Sequence, residues 1–395
     1  MISELTPVER SADATARNDV VAGHVVVLAS YIPAYMVPVY RALAQRVERL
    51  TLLLSAATDA NHKWDFDLNG LDVAMQRVFT VPQILRHSVG FKDITYIRIP
   101  WDTLPQLRRL QPDIVLSEEL GPRTAFSSLY RAISKRVRLL VSLGLSEHTE
   151  QNKGRLRHVL RKFLLPRADA LIVNGHSGVR YLQKMGYPAA KIHRFTYCAL
   201  PGVFDQLPVV RDRTDAHRML AIGQLIERKG LLPLLAGLSR WGHRHPDRLA
   251  ELTIAGSGPL ESQLRSYELP SNVVLTMVGY CNFEQLADLS RRSGIFVFPT
   301  LSDDWGLVVN EAMAAGLPVL GSVYSQAVDD LCVEGETGWR FRTDYPDEMD
   351  RAIEAALDTS HEKLDRMRVG ARRHVEHITP EFTADQFAAA LRSCG

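Results

Sequence analysis

From His24 onward, short runs of β-branched and aliphatic residues recur between longer stretches of helical character, the pattern of a parallel sheet wrapped by helices. The runs fall into two sets. Val25 to Ala29, Leu50 to Leu54, Asp113 to Leu116, Val137 to Ser142 and Leu171 to Val173 form the first. Met219 to Ile222, Leu252 to Ala255, Val273 to Val278, Ile295 to Phe298 and Val319 to Leu320 form the second. Between them Leu200 to His217 is irregular, with Pro201, Gly202, Pro208 and the charged run Arg211 to Asp215, and reads as an interdomain linker. At 395 residues the chain is long for one core and natural for two. The expectation is therefore an α/β chain with a disordered tail over 1–22, a first domain over 23–208 and a second over 209–376. A terminal helix over 377–395 opens at the N-cap Thr379 with Pro380 in the first helical position.

In such sheets ligands bind at strand-to-helix turns beyond the carboxyl ends of the strands. The segment from Ile295 to Leu320 is one of these: a short strand, an acidic turn, a helix from Leu307 to Ala315, a stop at Gly316 and a further strand. Asp303 and Glu311, eight positions apart, flank the helix N-terminus. There the free N–H groups of Gly306, Leu307 and Val308 suit a phosphate, while Glu311 one turn in suits a ribose diol. Phosphate and diol together describe a nucleotide; the competing reading is that Asp303 or Asp304 merely caps the helix. A second turn, Ala221 to Gly230, delivers Lys229 to the same sheet edge. A fixed ammonium there stabilises charge that builds on a departing diphosphate, although a solvated basic turn would look the same. Gly256-Ser257-Gly258 is a lone GxG, a tight turn or a ligand loop. The first βα turn, Ser30 to Pro38, has no glycine, which argues against a dinucleotide-binding dehydrogenase.

The stretch containing Asp303, Glu311 and the trailing Glu311-Ala312-Met313-Ala314-Ala315-Gly316-Leu317-Pro318-Val319 resembles the acidic-x7-acidic signature of the retaining GT-B glycosyltransferases, above all glycosyltransferase family 4. Gly223-Gln224-Leu225 through Lys229-Gly230 is similar to that family's diphosphate-binding turn. The resemblance implies two Rossmann-like parallel-sheet domains facing a cleft, a donor half over 209–376, an acceptor half over 23–208 and a terminal helix crossing back. It implies transfer of a sugar from a nucleotide-diphosphate donor to an acceptor hydroxyl with retention, in glycan or glycoconjugate biosynthesis. Glu311 then holds the ribose, and Lys229, assisted by Arg228, holds the diphosphate. Asp303 faces the transferred sugar, the loop of Gly256 and Gly258 lies near the nucleotide, and Tyr280 after Gly279 lies near the base. His148 is a candidate for the cleft histidine that touches the donor sugar in some relatives, against the reading of a surface histidine. The family usually has Glu where this chain has Asp303, and often Arg where it has Gln224. Those departures keep a GT-B sugar-nucleotide epimerase and a catalytically inactive partner subunit in view. Because the acidic signature already accounts for Asp303-Asp304, no metal site and no cofactor beyond the nucleotide-sugar co-substrate is expected.

A net charge of +2 excludes a protein that coats nucleic acid through bulk charge. Four scattered cysteines, without metal-ligand spacing, read as reduced thiols of a cytoplasmic protein. No apolar run approaches the ~20 residues that span a bilayer, and the first 22 residues lack the apolar core of a signal peptide. Residues 131–167 carry ten basic side chains against Glu147 and Glu150. Within them Leu156, Val159, Leu160, Phe163 and Leu164 form an apolar stripe opposite Arg155, Arg157, Arg161 and Lys162. Such a helix either lies peripherally on an anionic membrane or is an ordinary domain helix with its stripe on the sheet. The acceptor is left as a glycan, a lipid-linked molecule or a small molecule. Tyr31 and the pair Glu118-Glu119, just past strand ends, either bind its hydroxyls or are packed and solvated.

Overall fold

The computed structural model describes residues 20–57, 68–86, 92–150 and 155–394. The first half runs β1 (Val21–Ala29), α1 (Met36–Ala44), β2 (Val47–Leu54), β3 (Asp72–Met75), β4 (Val78–Arg86), β5 (Lys92–Pro100), α2 (Thr103–Leu110), β6 (Ile114–Glu118), α3 (Pro122–Ile133), β7 (Arg138–Leu143), α4 (Arg155–Leu164), β8 (Ala170–Asn174), α5 (Gly175–Lys184) and β9 (Ile192–Phe195). Seven of these strands form a parallel sheet in the order β3-β2-β1-β6-β7-β8-β9. The central strand β1 is apolar from Val25 to Ala29 and wholly buried there, as a strand covered by helices on both faces must be. β4 and β5 instead pair antiparallel with each other. Phe79 and Tyr96 on this hairpin are exposed, so no buried apolar run announces it in the sequence.

The second half runs β10 (Met219–Ile222), α6 (Leu231–Arg244), β11 (Ala250–Ala255), α7 (Glu261–Arg265), β12 (Val273–Gly279), α8 (Phe283–Arg291), β13 (Ile295–Phe298), α9 (Leu307–Ala314), β14 (Val319–Ser322), α10 (Gln326–Leu331), β15 (Gly338–Phe341), α11 (Pro346–Leu357), α12 (His361–Val375) and α13 (Pro380–Arg392). Its sheet is parallel throughout, in the order β12-β11-β10-β13-β14-β15. In each sheet the strand order reverses once, between β1 and β6 and between β10 and β13. Loops diverge at those two points and leave crevices at the carboxyl edge, the places where doubly wound sheets take ligands.

Between the sheets the chain is irregular but anchored. Arg211, within the charged run read as an interdomain linker, is buried, and it donates to the carbonyls of Ser293, Ser290 and Ala315. Burial, with Arg368 and Arg372 nearby, pushes its guanidinium down to about 10. The final helix α13 packs on α1. Arg46 of the first half meets Asp385 at 2.5 Å, and the hydroxyl of Thr383 donates to the carbonyl of Thr196 at 2.7 Å.

Two sequence expectations need correction. The tail assigned to 1–22 lies outside the described residues up to position 19, but Val21 and Ala22 belong to β1, where Val21 pairs with Val47. The second correction concerns α4, whose expected stripe is split: Leu164 is buried and Lys162 exposed as expected, but Arg161 turns inward. Arg161 is 3% exposed and ion-paired with Glu150, with its guanidinium bonded to the Tyr181 hydroxyl at 2.8 Å. Val159, Leu160 and Phe163 face solvent at 60%, 44% and 56% exposure. The buried Glu150 decides this: an uncompensated carboxylate beneath the helix would be costly, so the arginine turns inward to meet it.

Candidate active site

The turn after β10 and the turn after β13 border the same crevice, which brings Lys229 and Asp303 together. Lys229 Nζ lies 2.5 Å from Asp303 Oδ2, and Arg228 Nη1 lies 3.1 Å from the same oxygen and 2.9 Å from the Ser302 carbonyl. Burial would raise the Asp303 carboxyl, but Lys229 and Arg228 outweigh it and hold the group below its ordinary range. Burial lowers Lys229, with Asp303 opposing. Two cations meet the Asp303 carboxylate here, and an ammonium with one of its three N–H bonds committed has two left for a ligand.

The backbone geometry that holds this cluster depends on two glycines. Gly230 sits at φ 66°, and a Cβ there would lie 1.9 Å from the Pro299 carbonyl oxygen, so the Lys229 turn presses directly on the end of β13. At Gly256 a Cβ would lie 1.8 Å from the Gly223 carbonyl oxygen. The Gly256 to Gly258 loop therefore braces the Lys229 turn, with Leu225 N–H donating to Ser257 O and Leu260 N–H to Leu225 O. A small cavity between the strand ends is lined by Gly223, Gln224, Lys229, Phe298 and Pro299. Gln224 itself is exposed.

Gly306 caps α9 at φ 98° without any side-chain cap, so the first-turn N–H groups of Leu307 and Val308 have no intrahelical acceptor. One turn along, Glu311 is 7% exposed and its carboxylate has no protein partner among the described residues. Burial alone pushes it up to about 7 from 4.5. A buried carboxyl that no protein group satisfies is a group kept for a ligand. Trp305 and Asn310 fix this helix: the indole donates to Asn310 Oδ1 at 2.8 Å, and Asn310 Nδ2 donates to the Tyr197 carbonyl at 2.8 Å.

The first half reaches into the same place. His148, in the loop after β7, stands 2.8 Å from the Leu301 carbonyl and stacks on Tyr324 at 3.8 Å, and burial lowers its pKa. It is a half-buried interdomain residue beside the acidic turn, not a surface histidine. Tyr280, just past the edge strand β12, is 78% exposed. Across the cleft Glu118 accepts from the Tyr40 hydroxyl, and burial pushes its carboxyl up to about 7 against that bond. Tyr35, between the halves, feels the charges of both Glu118 and Asp303.

Sequence reasoning missed the clamp that closes the acidic turn. Asn174 Nδ2 and Gln326 Nε2 both donate to the Asp304 carbonyl at 2.7 Å, and Gln326 also donates to the Leu145 carbonyl. Asn174 precedes a helix and reads as an N-cap; its side chain instead accepts from Leu145 N–H and donates to Asp304. Nothing in the local sequence marks Gln326.

Comparison with known proteins agrees in both halves. Residues 206–374 match the family model for glycosyl transferases group 1, and residues 32–198 match that for a glycosyl transferase 4-like domain. An uncharacterized glycosyltransferase of Methanocaldococcus jannaschii is 33% identical over 110 residues, covering 27% of each chain. The glycogen synthase of Mycobacterium tuberculosis is 28% identical over 182 residues, 46% of this chain and 42% of that one. The chain thus spans about a quarter to two fifths of the length of these curated relatives. Among solved structures, Anabaena HepE in complex with UDP superposes with a TM-score of 0.67 at 15% identity, covering 94% of this chain and 99% of that one.

Proposed function

We propose, from the premise that this chain belongs to the GT-B glycosyltransferases, that it moves a sugar from a nucleotide-diphosphate donor to an acceptor hydroxyl with retention at the anomeric carbon. The observation that carries this is the buried Glu311, without a protein partner among the described residues, beside the uncapped start of α9, with the cations Lys229 and Arg228 at the neighbouring turn. Residues 209–376 bind the donor, residues 23–208 bind the acceptor, and 377–395 tie the halves together. Glu311 accepts from the ribose hydroxyls, while Leu307 and Val308 N–H groups and Lys229 face the diphosphate. The bond from the anomeric carbon to the diphosphate breaks with its electron pair going to the phosphate oxygen. Lys229 and Arg228 stabilise that charge more in the transition state than before it. As the ammonium turns to phosphate, Asp303 is released to accept from hydroxyls of the transferred sugar, and His148 closes the cleft from the other half. In this reading transfer needs no metal ion, because Lys229 and Arg228 bring two cations to the diphosphate.

HepE is solved with UDP and with UDP-glucose, so UDP-sugars are the first donors to test, followed by GDP- and dTDP-sugars. Release of nucleoside diphosphate that requires an added acceptor supports transfer. Release of an altered sugar without acceptor indicates an epimerase, and binding of no nucleotide indicates an inactive partner subunit. The four cysteines are unpaired in the structure, in keeping with a reducing, cytoplasmic site of action.

No helix among the described residues is long and apolar enough to cross a membrane. The exposed apolar face of α4 nevertheless supports peripheral binding to an anionic bilayer. Val159, Leu160 and Phe163 stand beside Lys162 and Arg167, and the neighbouring α3 adds exposed Leu129 and Ile133, followed by the exposed Lys135 and Arg136. Apolar side chains enter the headgroup boundary while basic ones meet anionic lipid, at about 1 kcal/mol per basic residue. The protein should co-sediment with anionic vesicles and not with neutral ones. Raising the salt, which shortens the Debye length from ~10 Å at 0.1 M to ~3 Å at 1 M, should release most of it. Replacing Leu160 and Phe163 with Ser should abolish sedimentation; equal, negligible sedimentation with both vesicle types at low salt would remove the membrane role.

A further inference from the structure

The acceptor half carries a second polar cluster, beyond the carboxyl ends of its adjacent strands β1 and β2. Ser30 follows β1 and Ser55 follows β2, and the two are neighbours in register: Ser55 N–H donates to Ala29 O at 3.1 Å and Ala56 N–H to Ser30 O at 2.8 Å. A guanidinium reaches each serine from a different element. Arg98, on β5, donates to Ser30 Oγ at 2.7 Å; Arg123, in the first turn of α3, lies 3.4 Å from Ser55 Oγ and 2.9 Å from the exposed carboxylate of Glu119. Two like charges are thus drawn to adjacent hydroxyls at one sheet edge.

Arg98 is half-buried and has no carboxylate partner among the described residues, so one neutral hydroxyl accounts for one of its five donors. Arg123 is 6% exposed and shares its charge between the exposed Glu119 and Ser55. Of the two, Arg98 has donors left over, and an anion is the acceptor a guanidinium binds most strongly. The start of α3 adds to this, since Gly121 supplies no side-chain cap and the helix runs for twelve residues.

We infer that Arg98 and Arg123, with Ser30 and Ser55, form a subsite for an anionic group on the acceptor, most simply a phosphoryl group. The reading rests on the glycosyltransferase assignment and narrows its acceptor to a phosphorylated molecule. Such a phosphate is borne either by a soluble sugar or polyol or by a lipid, and both present the same oxygens to the two arginines.

The test is made on the full chain saturated with UDP, so that the donor crevice is occupied and cannot take the probe. Glucose 6-phosphate in solution and dodecyl phosphate in neutral micelles are titrated in parallel, with glucose and dodecanol as uncharged controls. At least one phosphate should bind and its control should not. Arg98→Gln, a half-buried position whose loss leaves no carboxylate stranded, should weaken that binding roughly ten- to a hundredfold while UDP affinity stays unchanged. Saturation by the soluble phosphate assigns a soluble acceptor, and binding confined to micelles assigns a lipid-borne one. Binding of neither, or binding that Arg98→Gln leaves intact, overturns the subsite while UDP binding still stands for the donor site. Failure to bind UDP, GDP and dTDP alike, read in the same titrations, would instead fall on the glycosyltransferase reading.

Discussion

Lys229→Ala should lower kcat by about two to three orders of magnitude, the roughly 2–4 kcal/mol that a lost donor to a developing oxyanion costs. The size of the effect follows from its position. The ammonium is held 2.5 Å from Asp303 in a buried crevice, where charge is weakly screened and no water can take over its task without reorganisation. The substitution also leaves Asp303 with Arg228 as its named cationic partner, so the carboxyl should rise from its lowered value. Affinity for the free nucleoside should change little, because Lys229 is assigned to phosphate alone. Thermal unfolding of the variant separates a site effect from general damage. A kcat within about threefold of the parent, in a folded variant, would show that the diphosphate lies elsewhere.

Glu311→Gln should weaken UDP binding by about 1–3 kcal/mol, the range for a lost charge-assisted acceptor. The pH dependence makes the prediction specific. Burial raises the Glu311 carboxyl from 4.5 to about 7, so the ionised acceptor forms only near and above neutrality. UDP affinity of the parent should therefore fall as pH drops below about 7, and the Gln variant should lack that dependence. In the unliganded protein the sign is opposite for stability. A carboxyl whose folded pKa is raised stabilises the fold fully below 4.5, and that contribution is lost as pH rises towards about 7. The parent should lose Tm across that window relative to the Gln variant. Identical pH profiles for parent and variant, in both binding and Tm, would contradict the assignment.

Asp303 and Glu311 divide because their surroundings differ. Asp303 is bound by two cations, whereas Glu311 has no protein partner among the described residues, although both are buried carboxylates on the two sides of one turn. The sequence shows them as a matched pair. Only the loop after β10, folded across from that after β13, brings Lys229 to one and leaves the other open.

The sequence by itself determined the two-sheet architecture and the place of the donor crevice. A fully apolar strand needs helices on both faces, and a strand, an acidic turn and a helix with a glycine start can be read within 25 or so contiguous residues. Those signals are local: strand period, helix start and turn chemistry are set by neighbours in the chain. The hairpin of β4 and β5 escaped notice because Phe79, Val81 and Tyr96 on it are exposed, and the burial of Arg211 was hidden because its carbonyl partners lie 79 to 104 residues away. The same distance in sequence hid the Asn174 and Gln326 clamp on Asp304, the interdomain place of His148, and the meeting of Arg98 and Arg123 over Ser30 and Ser55. On α4 the apolar stripe was legible, but not that Arg161 would be buried while Val159, Leu160 and Phe163 stayed exposed. Hydrophobic period says which residues share a face; which face turns inward depends on what lies beneath, and here that was the buried carboxylate of Glu150.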